Sequence, residues 1–351
     1  MKNALMQKWL QVITAVIVLA LPGVASANLI IGSIVVFGTS LSDPGNAFAL
    51  LSHPPAGANL ATNVSQNHPP YDTLDELLVP SAPYAKGGHH FSNGATWIEQ
   101  FAQGNGLAPF VQAAFQSSNG KARNYAVGGA RAALYQNTNR IDLQQQVQAF
   151  LKDVNQIAPP DALYVIEMGS NDLRDALVAY LTTYQTTGSQ SQAGAAASLV
   201  LTNALNGIAG NILTLYTAGA RKFLVWNAPR IESTPAVMAF GPNAVFVART
   251  LVDDFNQRLA QNVLSSGALG GLPGIQIAQM DVSGQMAAVL HSPGNFGLTD
   301  VTDPCVTPNT PPFTCQQPDD YFFWDGIHPT KAVHAVLAQL AAGILAQYPG
   351  P

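Results

Sequence analysis

The chain has 351 residues, of which 48% are hydrophobic and 10% charged, with 15 basic against 20 acidic side chains and a formal net charge of −5. That is ample apolar material for one large α/β domain or two small ones. An acidic balance without basic clusters excludes nucleic-acid binding as a main role, and the lack of any segment repeated at fixed spacing excludes a solenoid.

Residues 1–27 read as an export signal. Lys2 and Lys8 form a short basic region, Val12 to Leu21 is almost wholly apolar, and Ala25-Ser26-Ala27 is a small-x-small cleavage site. Cleavage there leaves a mature chain starting at Asn28, with residues 28–351 as a single domain, secreted or periplasmic. The apolar core of the signal is short for a membrane span, and no later segment is expected to supply one.

Five strands are expected next, at Ile30–Phe37, Ala122–Val127, Ala162–Met168, Lys222–Trp226 and Gly274–Met280. They are continuous apolar runs, as suits strands covered on both faces. Between them fall helices at Asn93–Ala102, with Asn93 as cap, then Ile141–Val154, Leu173–Thr182, Gln190–Thr217, Pro242–Leu264 and Thr330–Tyr348, with Pro329 opening the last. Strand–helix alternation predicts a parallel sheet between two helical layers, joined by right-handed crossovers. Two long irregular regions, near 47–91 and 291–321, are expected at the mouth of a site.

Cys305 and Cys315 flank a Pro/Thr-rich stretch. An even cysteine count in an exported chain predicts a disulfide, and closing so short a loop stabilises by roughly 2–3 kcal/mol on the chain-entropy account. No His or second Cys pair stands at ligand spacing, so no metal is expected. His89-His90 reads as a solvated pair. No phosphate-cradling glycine motif occurs, so no nucleotide cofactor is expected either.

The chemistry concentrates at separated points. Ser40 follows the first strand directly, in Gly38-Thr39-Ser40-Leu41-Ser42-Asp43-Pro44-Gly45-Asn46. In a parallel α/β sheet that is where ligands bind. Trp324-Asp325-Gly326-Ile327-His328-Pro329 sets a carboxylate three positions from an imidazole. A serine needs a base to take its proton, and an imidazole needs an acceptor on its other nitrogen to fix the tautomer. The bland alternative is that Asp325 caps the last helix and His328 merely packs. Two segments could donate to a developing oxyanion: Asn124-Tyr125-Ala126-Val127-Gly128-Gly129-Ala130, ending in two glycines, and Gly169-Ser170-Asn171-Asp172, with a side-chain amide. No G-x-S-x-G elbow surrounds any serine, which argues against the common α/β-hydrolase fold.

Taken in order, these four segments resemble the blocks of the GDSL-type members of the SGNH hydrolases, across nearly the whole mature chain. The resemblance implies an α/β fold, a three-layer α/β/α sandwich with a flavodoxin-like parallel sheet. It implies Ser40 as nucleophile, His328 as base and then acid, and Asp325 orienting His328. The oxyanion donors would be the Ser40 N–H, the Gly128 N–H, with Gly129 its close rival, and the Asn171 side chain. The implied activity is hydrolysis of carboxylic esters through an acyl-enzyme, with acyl lipids, lysophospholipids or short-chain esters as substrates. Transient contact with a membrane surface is compatible with this. Acyl transfer to an alcohol is the nearest variant, and a non-catalytic lipid- or glycan-binding module is the alternative of another class. One departure stands out: the family usually has Asp immediately before the nucleophile, and this chain has Thr39. The change bears on turn stability and pH optimum, and restoring Asp is expected to alter activity only modestly.

Overall fold

A computed structural model describes residues 31–52, 85, 88–115, 117, 120–133, 141–306 and 314–347. The proposed signal and its cleavage site lie outside these. In chain order the elements are β1 (Ile34–Gly38), α1 (Asn46–Ser52), α2 (Trp97–Gly104), α3 (Leu143–Asp153), β2 (Leu163–Glu167), α4 (Ser170–Thr187), α5 (Gln190–Thr217) and β3 (Lys222–Trp226). Then come α6 (Pro235–Met238), α7 (Pro242–Arg258), β4 (Gln276–Met280), α8 (Val282–His291), β5 (Asp300–Pro304), β6 (Tyr321–Phe323) and α9 (Lys331–Ala346).

The main sheet runs β1-β2-β3-β4, all parallel. Successive side chains along a strand point to opposite faces, so nearly unbroken apolar strands feed two cores. Val35, Phe37, Tyr164, Ile166, Phe223 and Val225 face one way, onto Phe150 of α3, Leu177 of α4, Leu205 of α5 and Phe255 of α7. Ile34, Val36, Leu163, Val165, Leu224 and Trp226 face the other way, onto Trp97 and Phe101 of α2 and Leu337 and Ala341 of α9. Each such side chain contributes about 1.5–3 kcal/mol on full burial. The result is a three-layer sandwich, as expected.

The expected second strand, Ala122–Val127, is less regular than the others. It makes a single parallel bridge to β1, at Val36↔Asn124. Its backbone still tracks β1: Val36 N–H donates to Arg123 O at 2.9 Å, Tyr125 N–H to Val36 O at 2.8 Å, and Val127 N–H to Gly38 O at 3.1 Å. The sheet order, with this segment outside β1, is that of a flavodoxin-like sheet.

Some expectations need correction. Asn93 does not cap α2; its Oδ1 accepts the Lys331 N–H at 2.7 Å, so it caps α9 from across the molecule. Thr96 precedes α2, and Glu99 accepts its N–H at 2.8 Å. Pro329 lies two residues ahead of α9, whose cap position is Thr330. The helix expected to Leu264 ends at Arg258 and continues as a π-helical turn, Leu259–Leu264. The irregular region 291–321 contains β5 and part of the β5–β6 pair, and α8 precedes it unforeseen. Residues 53–84 of the other long region lie outside the described part. α5, without a charged side chain, alone among the described helices has the length and apolarity of a span. Its Leu201, Leu205, Ile208, Ile212 and Leu215 are buried in the sandwich core.

Candidate active site

β1 ends at Gly38, and the chain turns at once, with Ser42 N–H closing onto Thr39 O at 3.2 Å. Ser40 sits on this turn, half-buried, at the carboxyl end of the sheet. Its Oγ lies 2.9 Å from His328 Nε2. On the ring's far side, His328 Nδ1 lies 2.7 Å from Asp325 Oδ2. Asp325 Oδ1 accepts the N–H groups of Ile327 at 2.8 Å and His328 at 2.7 Å. As a carboxylate Asp325 can only accept, so Nδ1–H donates to it and Nε2 is left to accept the serine hydroxyl. Asp325 is fully buried and is not the cap of α9.

The aspartate–histidine turn is held by its backbone as well. Trp324 N–H donates to His328 O at 2.7 Å, and Thr330 N–H to Phe322 O at 2.9 Å. Phe91 packs on the imidazole with ring centroids 5.1 Å apart. The described end of the first long region therefore does reach the site.

Side chains that the sequence left without a role clasp the first three segments together. Asp43 is buried and accepts four backbone N–H groups: Gly45 at 2.8 Å, Asn46 at 2.6 Å, Ala47 at 3.0 Å and Gly128 at 2.8 Å. Burial pushes its carboxyl up to about 6, against the pull of those donors. The Asn46 amide donates to Asn124 O and Ala126 O at 2.8 and 2.9 Å, and the Asn124 amide returns to Ser42 O at 2.8 Å. Asp172 does for the third segment what Asp43 does for the first, accepting Ala132 N–H at 2.9 Å and Ala133 N–H at 3.0 Å. Burial raises it, too, to about 6.

Gly128 and Gly129 part company here. The Gly128 N–H is committed to Asp43, and a Cβ at Gly128 would run into the Phe91 ring. Gly129 has φ of 82°, the left-handed region that favours glycine. Asn171 lies in the first turn of α4, after Gly169 at φ 117°. One of its amide hydrogens goes to Ala130 O at 2.9 Å, which leaves the second for another acceptor.

Ser40, Ser170, Asn171 and His328 share a pocket whose other walls are largely apolar: Ile231 and Thr234 ahead of α6 and Val237 within it, Met286 and Val289 of α8, Phe322 and Phe323 of β6, and Val333 and Leu337 of α9. Arg174 and Arg230 also line it. Ser42, the other serine of this turn, is fully buried and receives the Trp97 indole N–H at 2.9 Å.

Residues 34–341 match the family described as GDSL-like Lipase/Acylhydrolase. The chain belongs to that family. This GDSL hydrolase is 26% identical over 341 residues to GDSL esterase/lipase At1g71691 of Arabidopsis thaliana, covering 89% of its own length and 82% of the relative. To GDSL esterase/lipase At5g22810 of the same plant it is 24% identical over 360 residues, covering 92% and 91%. It is thus a carboxylic ester hydrolase of the GDSL type, on the fold expected for the SGNH hydrolases.

The histidines elsewhere in this GDSL hydrolase differ from expectation in one respect. His90 is not solvated: it is buried, and its Nε2 lies 2.9 Å from Glu99. Burial opposes its protonation, but the glutamate outweighs this and the net shift is upward. His334 is buried under α2, accepts the Trp97 backbone N–H at 3.2 Å and is pushed down to about 3 by burial.

The disulfide stands where the sequence put it. Cys305 and Cys315 are bonded. Cys305 N–H donates to Phe323 O at 3.0 Å and Val306 N–H to Trp324 O at 2.8 Å, immediately ahead of Asp325. Residues 307–313 lie outside the described part.

Proposed function

We propose that the protein is an exported serine esterase or lipase that cleaves acyl esters through an acyl-enzyme on Ser40. The single observation carrying this is the continuous chain Ser40 Oγ–His328 Nε2 at 2.9 Å and His328 Nδ1–Asp325 Oδ2 at 2.7 Å. Ser40 Oγ attacks the ester carbonyl while its proton passes to His328, and Asp325 stabilises the imidazolium. Collapse of the tetrahedral intermediate breaks the ester C–O bond, and His328 returns the proton to the departing alcohol. Water, deprotonated by His328, then releases the acid and frees Ser40. The oxyanion is received by the Ser40 N–H, the second Asn171 amide hydrogen and the N–H of Gly129; Gly128 is the weaker candidate because Asp43 holds its N–H.

The apolar pocket wall supports an acyl chain, rather than a sugar or peptide, beside the nucleophile. Acyl lipids, including lysophospholipids, and simple acyl esters fit that chemistry. Contact with a lipid surface is favoured by the exposed Met238 and Phe240, which follow the pocket-lining Val237. Export rests on the N-terminal leader, together with a disulfide suited to an oxidising compartment.

The test is a serine-reactive fluorophosphonate. Labelling at Ser40 is expected, abolished in Ser40→Ala and weakened in His328→Ala. Folded protein that takes no label sinks the reading. Chromogenic esters of increasing acyl length then define the chain preference, and N-terminal sequencing of the exported protein should begin at Asn28.

A further inference from the structure

We propose that Glu167 is the positioning residue of the nucleophile turn, a carboxylate that has exchanged places with the acid missing from position 39. The inference rests on Ser40 as nucleophile and adds a residue outside all four sequence segments.

Glu167 is the last residue of β2 and the register partner of Gly38, the last residue of β1. Its side chain reaches under the turn that begins there. Oε2 accepts the Thr39 N–H at 2.8 Å, and Oε1 accepts the Thr39 hydroxyl at 2.8 Å. The Ser42 side chain also hydrogen-bonds to it, so residues on both sides of Ser40–Leu41 are tied to one carboxylate. Ser42 is in turn fixed by the Trp97 indole at 2.9 Å. A Cβ at position 38 would stand 2.8 Å from Glu167 Oε2, so this close approach needs Gly38. Two residues beyond Glu167 the backbone enters Gly169 and then Asn171 of α4. The same short stretch thus supports the turn that aims Ser40 and leads into Asn171, the amide proposed to receive the oxyanion of the tetrahedral intermediate.

A buried carboxyl is costly unless its hydrogen bonds are met. Glu167 is buried, and burial raises it to about 7 despite the bonds from Thr39 and Ser42. Among the described residues, the groups acting on it are those two, both uncharged. No step of the proposed reaction uses it as acid or base. Its contacts serve only the turn, and they require a neutral donor at position 39. An aspartate there would oppose Glu167 with a second carboxylate, and two such groups cannot both ionise in one buried site. Threonine at 39 and glutamate at 167 therefore form a matched set, and the departure at position 39 is compensated from β2.

The experiment compares Thr39→Asp, Glu167→Gln, the double variant and Thr39→Val on a soluble short-chain ester, with rates expressed per fluorophosphonate-labelled site. That labelling first establishes Ser40 as nucleophile in the wild type, so loss of the functional reading is separable from loss of this one. Thr39→Asp should lower kcat by at least about tenfold at pH 8 with KM little changed, because a displaced nucleophile impairs chemistry and leaves binding alone. Its pH profile should move to the acid side, where one of the paired carboxyls retains a proton. Adding Glu167→Gln should restore the rate to within about threefold of wild type and return the profile, since a glutamine amide can donate to Asp at 39. Thr39→Val, nearly equal in shape but without the hydroxyl, should lower kcat about three- to tenfold in the folded protein. A Thr39→Asp enzyme with the wild-type profile, or a double variant no faster than Thr39→Asp, overturns the proposal. Should Thr39→Asp fail to fold, unchanged kcat in Thr39→Val overturns it equally.

Discussion

At the level of single residues, the oxyanion donors separate by what already occupies them. The Asn171 amide gives one hydrogen to Ala130 O at 2.9 Å, which fixes the side chain without using up its donors. A preorganised donor of this kind acts on the charge that develops in the transition state, so its removal should appear in kcat. Asn171→Ala is expected to lower kcat on the order of 10²–10³-fold with KM nearly unchanged; steady-state kinetics on a soluble ester check this, and a change confined to KM would remove Asn171 from the oxyanion site. The same logic shows where the sequence stopped being informative. Adjacent glycines carry no side chain to distinguish them, so Gly128 and Gly129 could not be ranked until the Asp43 hydrogen bond and the 82° φ were seen. Thr39 could be read as a departure from a motif, but its partner Glu167 is 128 positions away, and no local pattern connects them. The expectation that Asp at 39 would change little is revised for that reason.

Among elements, the legible parts were those whose physics is local. β3 falls at Lys222–Trp226 and α5 at Gln190–Thr217, as expected from a bounded apolar run and from a long segment of helical period. What escaped depends on partners distant in sequence. α8 follows β4 with only Asp281 between them, and its cap is that residue's side chain accepting Gly284 N–H at 2.8 Å. β5 is short and has no buried residue, β6 is only three residues with Phe322 and Phe323 buried, and the two exist because they pair with each other. That pair gives the disulfide a mechanical meaning. Cys305 and Val306 bond to the backbone of Phe323 and Trp324, and Cys305 packs with Trp324, so the bridge steadies the strand leading into Asp325. Reduction should destabilise the fold by roughly 2–3 kcal/mol and should lower kcat severalfold at a temperature where the protein remains folded. Circular dichroism and ester kinetics before and after confirmed reduction test this, and unchanged kinetics in the reduced, folded enzyme would refute the coupling.

For the molecule as a whole, the proposed lipid contact depends on where the apolar surface lies relative to the pocket. Residues 233–248 carry no charged side chain. Within them Thr234 and Val237 line the pocket, while Met238, Phe240 and Phe246 are 46%, 56% and 71% exposed. Isolated exposed apolar residues are ordinary, but three on one uncharged stretch that continues from the pocket wall would, on the proposed function, serve as an interfacial anchor. Aromatic rings are well suited to the boundary between headgroups and acyl chains. Such an anchor would seat the pocket mouth on the lipid and shorten the path of an acyl chain to Ser40. Replacing Phe240 and Phe246 together with Ser removes apolar area from solvent-facing positions and should leave the core intact. Hydrolysis of a water-soluble short-chain ester is therefore expected to stay within about twofold of wild type, since surface changes of this kind are nearly neutral for stability. Hydrolysis of an ester presented in zwitterionic vesicles, and sedimentation with those vesicles, should both fall at least about tenfold, the loss of about 1.4 kcal/mol in surface affinity. Equal losses on both substrates would point to a damaged site, and equal retention on both would show that the enzyme meets its substrate as a dissolved monomer.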